Sequence, residues 1–201
     1  LEYGLADKRF EDFKSWPGQE YMLNVLRHAL RQWPGVDHGL ILRGTQGCGK
    51  SSASAAMVNA FIECGTEAKF RTTTQILDSI RGSYDPRYKG TAPLPAIAKT
   101  PVLVIDELGG EAVNERNREW VCEQLLSLID ARVKQKSTTF TVVTTNLSGT
   151  EMAEHYGGSH SAKRIVSRLA ELGEWVEVEA GDYRKQIQSS YQAERWDLSY
   201  D

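Results

Sequence analysis

The sequence predicts an α/β fold: a parallel sheet of five strands in the order 5-1-4-3-2, flanked by helices on both faces. Strand-like and helix-like segments alternate along the chain, which is the pattern of successive strand–helix–strand crossovers. Leu40-Ile41-Leu42, Val102-Leu103-Val104-Ile105 and Val142-Val143 are continuous apolar runs, as expected of central strands covered on both faces. Lys69-Phe70-Arg71 and Val176-Glu177-Val178-Glu179 alternate instead, which places the second and fifth strands at the two edges.

Taken in order, residues 1–17 are mixed in charge and end at Trp16-Pro17-Gly18. From Gln19 to Trp33 the apolar residues Tyr21, Met22, Val25, Leu26, Ala29, Leu30 and Trp33 form a helical stripe, closed by Pro34-Gly35. Residues 1–36 are expected to form an extension and helix before a core spanning 37–201. Strands are expected at Leu40–Leu42, Lys69–Thr72, Val102–Ile105, Phe140–Thr144 and Trp175–Glu179. Helices are expected at Lys50–Cys64, Thr74–Arg81, Asn117–Lys134 and Ser161–Leu172. Gly82–Thr100 carries two glycines and three prolines and reads as an irregular, functional or connecting loop.

Composition removes several function classes. The 24 Lys and Arg against 27 Asp and Glu give a net charge of −3, so nucleic acid can be held only by a local patch. No apolar run approaches the roughly 18–20 residues that span a bilayer. Cys48, Cys64 and Cys122 make no Cys-x-x-Cys pair, so zinc and disulfide frameworks are not expected and a reducing, cytoplasmic setting is. His28, His38, His155 and His160 show no ligand spacing for a metal. The chain opens on Leu1 rather than Met, which reads as a fragment or processed form.

One motif carries the chemistry. Gly44-Thr45-Gln46-Gly47-Cys48-Gly49-Lys50-Ser51 fits G-x-x-x-x-G-K-[ST] between an apolar strand and a helix, the context a P-loop requires. Its glycines let backbone N–H groups wrap phosphates at a helix N-terminus. Gly44, Thr45, Gln46, Gly47, Cys48, Gly49, Lys50, Ser51 and Ser52 are the expected cradle, with Lys50 on the β- and γ-phosphates and Ser51 on Mg2+. Cys48 reads as a small residue at a variable position of the loop.

A third-strand run, Val102–Ile105, delivers Asp106 and Glu107 to the carboxyl end of the sheet. Asp106 is expected to hold Mg2+ through water, and Glu107 to orient and polarise the attacking water. No Asn-Lys-x-Asp occurs, which leaves guanine unread and ATP as the expected nucleotide. The fourth strand ends in Thr144-Thr145-Asn146, where the Asn146 amide is expected to sense the γ-phosphate and set the water.

These residues resemble the AAA+ ATPases, and more narrowly the DnaC/DnaI-type replicative helicase loaders with their IstB-like relatives. The resemblance runs from Arg9-Phe10-Glu11-Asp12-Phe13 through the P-loop and Leu103–Gly109. It continues through Thr144-Thr145-Asn146 and Tyr156-Gly157 to Arg164-Ile165-Val166-Ser167-Arg168-Leu169 and Gly181-Asp182-Tyr183-Arg184. It implies an arginine finger reaching the ATP site of a neighbouring subunit, Arg168 first and Arg164 next, and a sensor arginine, Arg184, on phosphate within its own subunit. It also implies self-association into an open ring, spiral or filament, with single-stranded DNA and a replicative DNA helicase as partners and no membrane. A helper ATPase of transposition acting on duplex DNA is the alternative. About twenty residues follow the fifth strand, too few for a helical lid.

Arg81-Gly82-Ser83-Tyr84-Asp85-Pro86-Arg87-Tyr88-Lys89-Gly90 interleaves basic and aromatic residues. Arg81, Arg87 and Lys89 can follow phosphates while Tyr84 stacks on an unpaired base. The helix bearing Trp120, Val121, Leu125 and Leu128 reads as core.

Overall fold

In a computed structural model that describes residues 4–13, 18–36 and 38–182, five parallel strands form one sheet. They are β1 (Gly39–Gly44), β2 (Ala68–Thr72), β3 (Val102–Leu108), β4 (Phe140–Thr145) and β5 (Gly173–Val178), in the order β2-β3-β4-β1-β5. This is the expected order read from the other edge, and β2 and β5 are the edges. The buried runs of β1, β3 and β4 contrast with the alternating burial of β5, which is the signal that separated centre from edge.

The period-two alternation of strand side chains sorts the core into two layers. Leu40 and Leu42 of β1 and Val102 and Val104 of β3 face one cluster with α1 (Glu20–Gln32) and α2 (Lys50–Glu63). Ile41, Leu103 and Ile105 face the other, with α3 (Thr73–Gly82), α5 (Arg118–Lys134) and α7 (His160–Leu172). On α7 the buried residues Ala162, Ile165, Leu169 and Leu172 fall at spacings of three and four, and each large one stabilises the fold by about 1.5–3 kcal/mol on burial.

Two helices lie where none was expected. Within Gly82–Thr100, α4 (Pro93–Ala98) forms because Pro93 stands in the first turn, where a missing N–H and a fixed φ cost a helix nothing. The many prolines concealed it. α6 (Gly149–His155) follows β4 and opens with a capping box. The Ser148 hydroxyl accepts the Glu151 N–H at 3.2 Å, and the Glu151 carboxylate accepts the Ser148 N–H at 2.7 Å. Ser-x-x-Glu is legible in the sequence, but seven residues are too few for a periodic stripe.

β3 carries one irregularity that matters for the site. Ile105 stands opposite Val143 and Leu108 opposite Thr145, so β3 spends three steps where β4 spends two. The extra residue is a β-bulge. Inside it Glu107 adopts φ 56°, the left-handed region that a non-glycine residue rarely enters. Among the described residues, no helix is long and apolar enough to cross a membrane. Arg184 and, from residue 183 on, the segment expected to be too short for a lid lie outside the described residues.

Candidate nucleotide site

The loop between β1 and α2 turns through Gly47 (φ 84°) and Gly49 (φ 97°), and α2 begins at Lys50. Both angles suit glycine; a Cβ on Gly47 would press on the Asp182 carboxylate, and one on Gly49 would stand 2.7 Å from Gln19 Nε2 and displace it. Lys50 is 6% exposed, yet its ammonium is fully engaged. It donates to the Gly44 carbonyl at 2.7 Å, the Thr45 carbonyl at 2.9 Å and Asn146 Oδ1 at 2.9 Å, and lies 3.4 Å from Cys48 Sγ. These neutral acceptors hold the cation at the mouth of the loop. Cys48 is wholly buried beneath it.

β4 lies between β1 and β3, so β3 brings Asp106 across to α2. Asp106 is 3% exposed and its Oδ1 accepts two hydroxyls, Ser51 at 2.9 Å and Thr144 at 2.5 Å. Burial pushes its carboxyl above the usual range; the Thr144 and Ser51 hydroxyls pull it back, Glu107 raises it, and Lys50 lowers it. The Glu107 N–H donates to the Thr144 hydroxyl at 3.0 Å, while the Glu107 side chain is exposed. Thr144 therefore touches Asp106 and Glu107 together. Thr73 Oγ1 donates to the Asp106 carbonyl at 3.1 Å, fixing the start of α3 to the same strand end.

Gln46, Gly47, Gly49, Lys50, Ser51, Ser52, Glu107, Thr144, Thr145 and Asn146 line one pocket of about 260 Å³ at the carboxyl end of the sheet. Among the described residues, no three His, Cys, Asp or Glu side chains converge as a metal site. A cation here would draw on one hydroxyl and one carboxylate plus phosphate and water, the donor set that Mg2+ takes with nucleotides. The Ser51 and Asp106 oxygens, 2.9 Å apart, fit that set.

The chain matches the IstB-like ATP-binding proteins over residues 19–191. It belongs to that family. No curated protein sequence matches it significantly. Among solved structures, the IstB-like fold here is similar to the DnaC helicase loader (20% identity, 89% of this chain and 100% of that one, TM-score 0.72). It is also similar to DnaI (20% identity, 90% and 93%, TM-score 0.71). DnaA from Aquifex aeolicus bound to AMPPCP is 14% identical over 96% of this chain and 57% of that one, with a TM-score of 0.69. At these identities the likenesses carry the fold alone.

The two finger candidates of this IstB-like chain project from α7 onto α5. Arg168 Nε lies 2.8 Å from Asp130 Oδ1, Arg164 Nη2 lies 3.8 Å from Asp130 Oδ2, and Arg168 also pairs with Glu171. Ion pairs this exposed to solvent are weak and screened by salt, so they hold the two guanidinium groups only loosely on α5.

The basic and aromatic segment is only partly brought together. Arg81 stands at the far end of α3, about 12 Å along the axis from Thr73. Its guanidinium lies 4.9 Å over the Trp120 ring, and Trp120 Nε1–H donates to the Tyr84 hydroxyl at 3.2 Å. Tyr84 is 61% exposed. Arg81 and Arg87 each carry a carboxylate partner, Asp78 at 3.0 Å and Asp85 at 2.7 Å, while Lys89 is exposed. Trp120, read from sequence as core alone, packs on the core and also closes this cluster.

Two residues at the site escaped sequence reading. Gln19, at the start of α1, is 3% exposed and donates from Nε2 to the Cys48 carbonyl at 2.7 Å, tying α1 to the P-loop. Thr144 was visible only as a strand-end residue. No spacing rule marks either.

Lys50→Ala is expected to weaken ATP binding roughly 10–100-fold, the loss of a charge-assisted hydrogen bond worth about 1.5–3 kcal/mol. Titration with a fluorescent ATP analogue reads this; unchanged affinity would place the nucleotide elsewhere.

Proposed function

We propose that the protein is a Mg2+-dependent ATPase that helps place a replicative DNA helicase on single-stranded DNA. The observation supporting it is the meeting of Lys50, Ser51, Asp106, Glu107, Thr144 and Asn146 at one strand end beside a P-loop. On this reading the Lys50 ammonium exchanges backbone carbonyls for the β- and γ-phosphates. Ser51 and Asp106 hold Mg2+, which neutralises charge on the phosphates when bound. Glu107, exposed at the bulge, orients the attacking water and accepts its proton, and Asn146 positions that water against the γ-phosphate. Arg168, with Arg164 beside it, supplies positive charge to the site of the next subunit, so full turnover requires an open ring, spiral or filament. Arg184 completes the phosphate contacts within its own subunit.

DNA is read through Tyr84 and the basic groups of Arg81, Arg87 and Lys89, with Trp120 supporting the tyrosine. A second reading, a transposition helper that grips duplex DNA, rests on the resemblance to IstB-like proteins, for which the family match supplies ATP binding.

Fluorescence anisotropy with single-stranded and duplex DNA, each with and without ATP, separates the two. The loader reading expects single-strand binding that strengthens with ATP by roughly tenfold or more and weakens with salt. Tighter binding to duplex with ATP would replace it with the transposition helper. Binding to neither would remove the Arg81–Lys89 contact from the proposal.

A further inference from the structure

Beyond the groups that face the nucleotide pocket, the loop after β3 rests on a buried acidic pair. Glu111 is 5% exposed and Tyr156, at the end of α6, is wholly buried. The Tyr156 hydroxyl donates to Glu111 Oε1, and Glu111 Oε2 accepts the Gly109 N–H at 3.0 Å. Burial and the Glu111 charge push the Tyr156 phenol far above its ordinary range, so it remains a donor at every working pH. Gly109 has φ 87°, and the Gly110 N–H closes back on the Glu107 carbonyl at 2.8 Å.

The residue between these restraints is Glu107, held at φ 56°. A non-glycine residue stays in that region only where its surroundings over-determine it. Its own N–H is taken by Thr144, and the turn that follows it is pinned through Gly109. Thr145 Oγ1 donates to the Leu108 carbonyl at 2.7 Å, closing the bulge from the β4 side. Burying a carboxylate beneath a surface turn costs solvation that an apolar pair would not. An apolar pair, however, could not grip the Gly109 N–H.

We propose that Glu111 and Tyr156 are positioning residues for hydrolysis: together they clamp the turn after Glu107 and so aim the Glu107 carboxylate at the attacking water. This rests on the reading of Glu107 as the water-activating group. Neither residue reaches the nucleotide pocket, so their effect falls on the chemical step and not on nucleotide binding.

Steady-state turnover and binding of a non-hydrolysable fluorescent ATP analogue test the clamp in the full chain. Tyr156→Phe is expected to lower kcat roughly 10–100-fold, the scale of a displaced catalytic group, with analogue Kd changed less than about twofold. Glu111→Gln keeps an acceptor for the Gly109 N–H and is expected to retain more turnover than Glu111→Ala. A kcat within twofold of wild type in Tyr156→Phe, equal losses in Glu111→Gln and Glu111→Ala, or kcat and Kd falling together would overturn the clamp. Glu107→Gln, run in parallel, separates the two readings. If it abolishes turnover while Tyr156→Phe does not change it, the clamp alone fails; if it turns over like wild type, the reading of Glu107 as the water-activating group fails and the clamp with it. Should Tyr156→Phe not fold, amide exchange in the wild-type protein still decides: the Gly109 and Gly110 N–H groups are expected to be protected, and free exchange at both would overturn the clamp.

Discussion

Glu107→Gln is expected to reduce ATP turnover by roughly 10²–10⁴-fold while nucleotide affinity stays within about twofold, because a general base contributes to the transition state and little to binding. The amide occupies the same volume at the bulge and keeps the backbone N–H bond to Thr144 at 3.0 Å, so the geometry of Asp106 and Ser51 survives the change. Binding of a fluorescent ATP analogue and phosphate release are the two measurements. Turnover above a tenth of wild type would remove Glu107 from the mechanism.

The same variant tests the neighbouring-subunit arginine. Glu107→Gln retains a normal Arg168, and Arg168→Ala retains a normal Glu107, so mixing the two inactive proteins should restore part of the activity if the arginine acts across an interface. An arginine finger contributes about 10³–10⁵ in the best-characterised NTPases, which makes even a small mixed population visible. No restoration at any mixing ratio counts against a finger in trans.

The second large effect concerns stability. Arg132→Met is expected to lower the unfolding free energy by about 3–5 kcal/mol, because three buried carbonyls and a hydroxyl lose their donor at about 1–3 kcal/mol each, partly offset by relaxation. Arg132 is fully buried at the end of α5. It donates from Nε to the Thr141 hydroxyl at 2.8 Å, from Nη1 to the Ala98 carbonyl at 3.1 Å and to the Thr100 carbonyl, and from Nη2 to the Phe140 carbonyl at 2.6 Å. Burial lowers its pKa to about 10, so it remains charged at neutral pH. One guanidinium thus joins the end of α4 to β4 and the approach to β3. For a chain of this size the loss corresponds to a fall in Tm on the order of 10 °C. Thermal or urea unfolding reads it, and a loss below about 1 kcal/mol would mean that other groups satisfy those carbonyls.

Arg132 also marks a limit of pattern reading. It falls on the stripe of Val121, Leu125 and Ile129, yet a cation in the last turn of a helix is ordinarily an exposed partner of the helix dipole. Only the carbonyls brought there by α4 and β4, segments far away in sequence, explain its burial. Glu111 and Tyr156 are 45 residues apart and illustrate the same point: an acid in a Gly-rich turn and a tyrosine before glycine carry no signal of being partners.

What the sequence determined by itself is local. Apolar runs told central from edge strands because burial on two faces and on one leave different patterns along the same few residues. The P-loop and the Asp106-Glu107 pair were legible because phosphate binding needs particular residues within eight consecutive positions, and a strand end needs only the run before it. The tertiary structure decided what depends on meetings between distant segments: the bulge that places Glu107 at φ 56°, set by register against β4; Thr144 joining Asp106 to Glu107; Gln19 tying α1 to the P-loop; and the buried grip of Arg132. A hydrogen bond of a few ångströms constrains positions in space and leaves no periodicity in the chain, so packing alone reveals it.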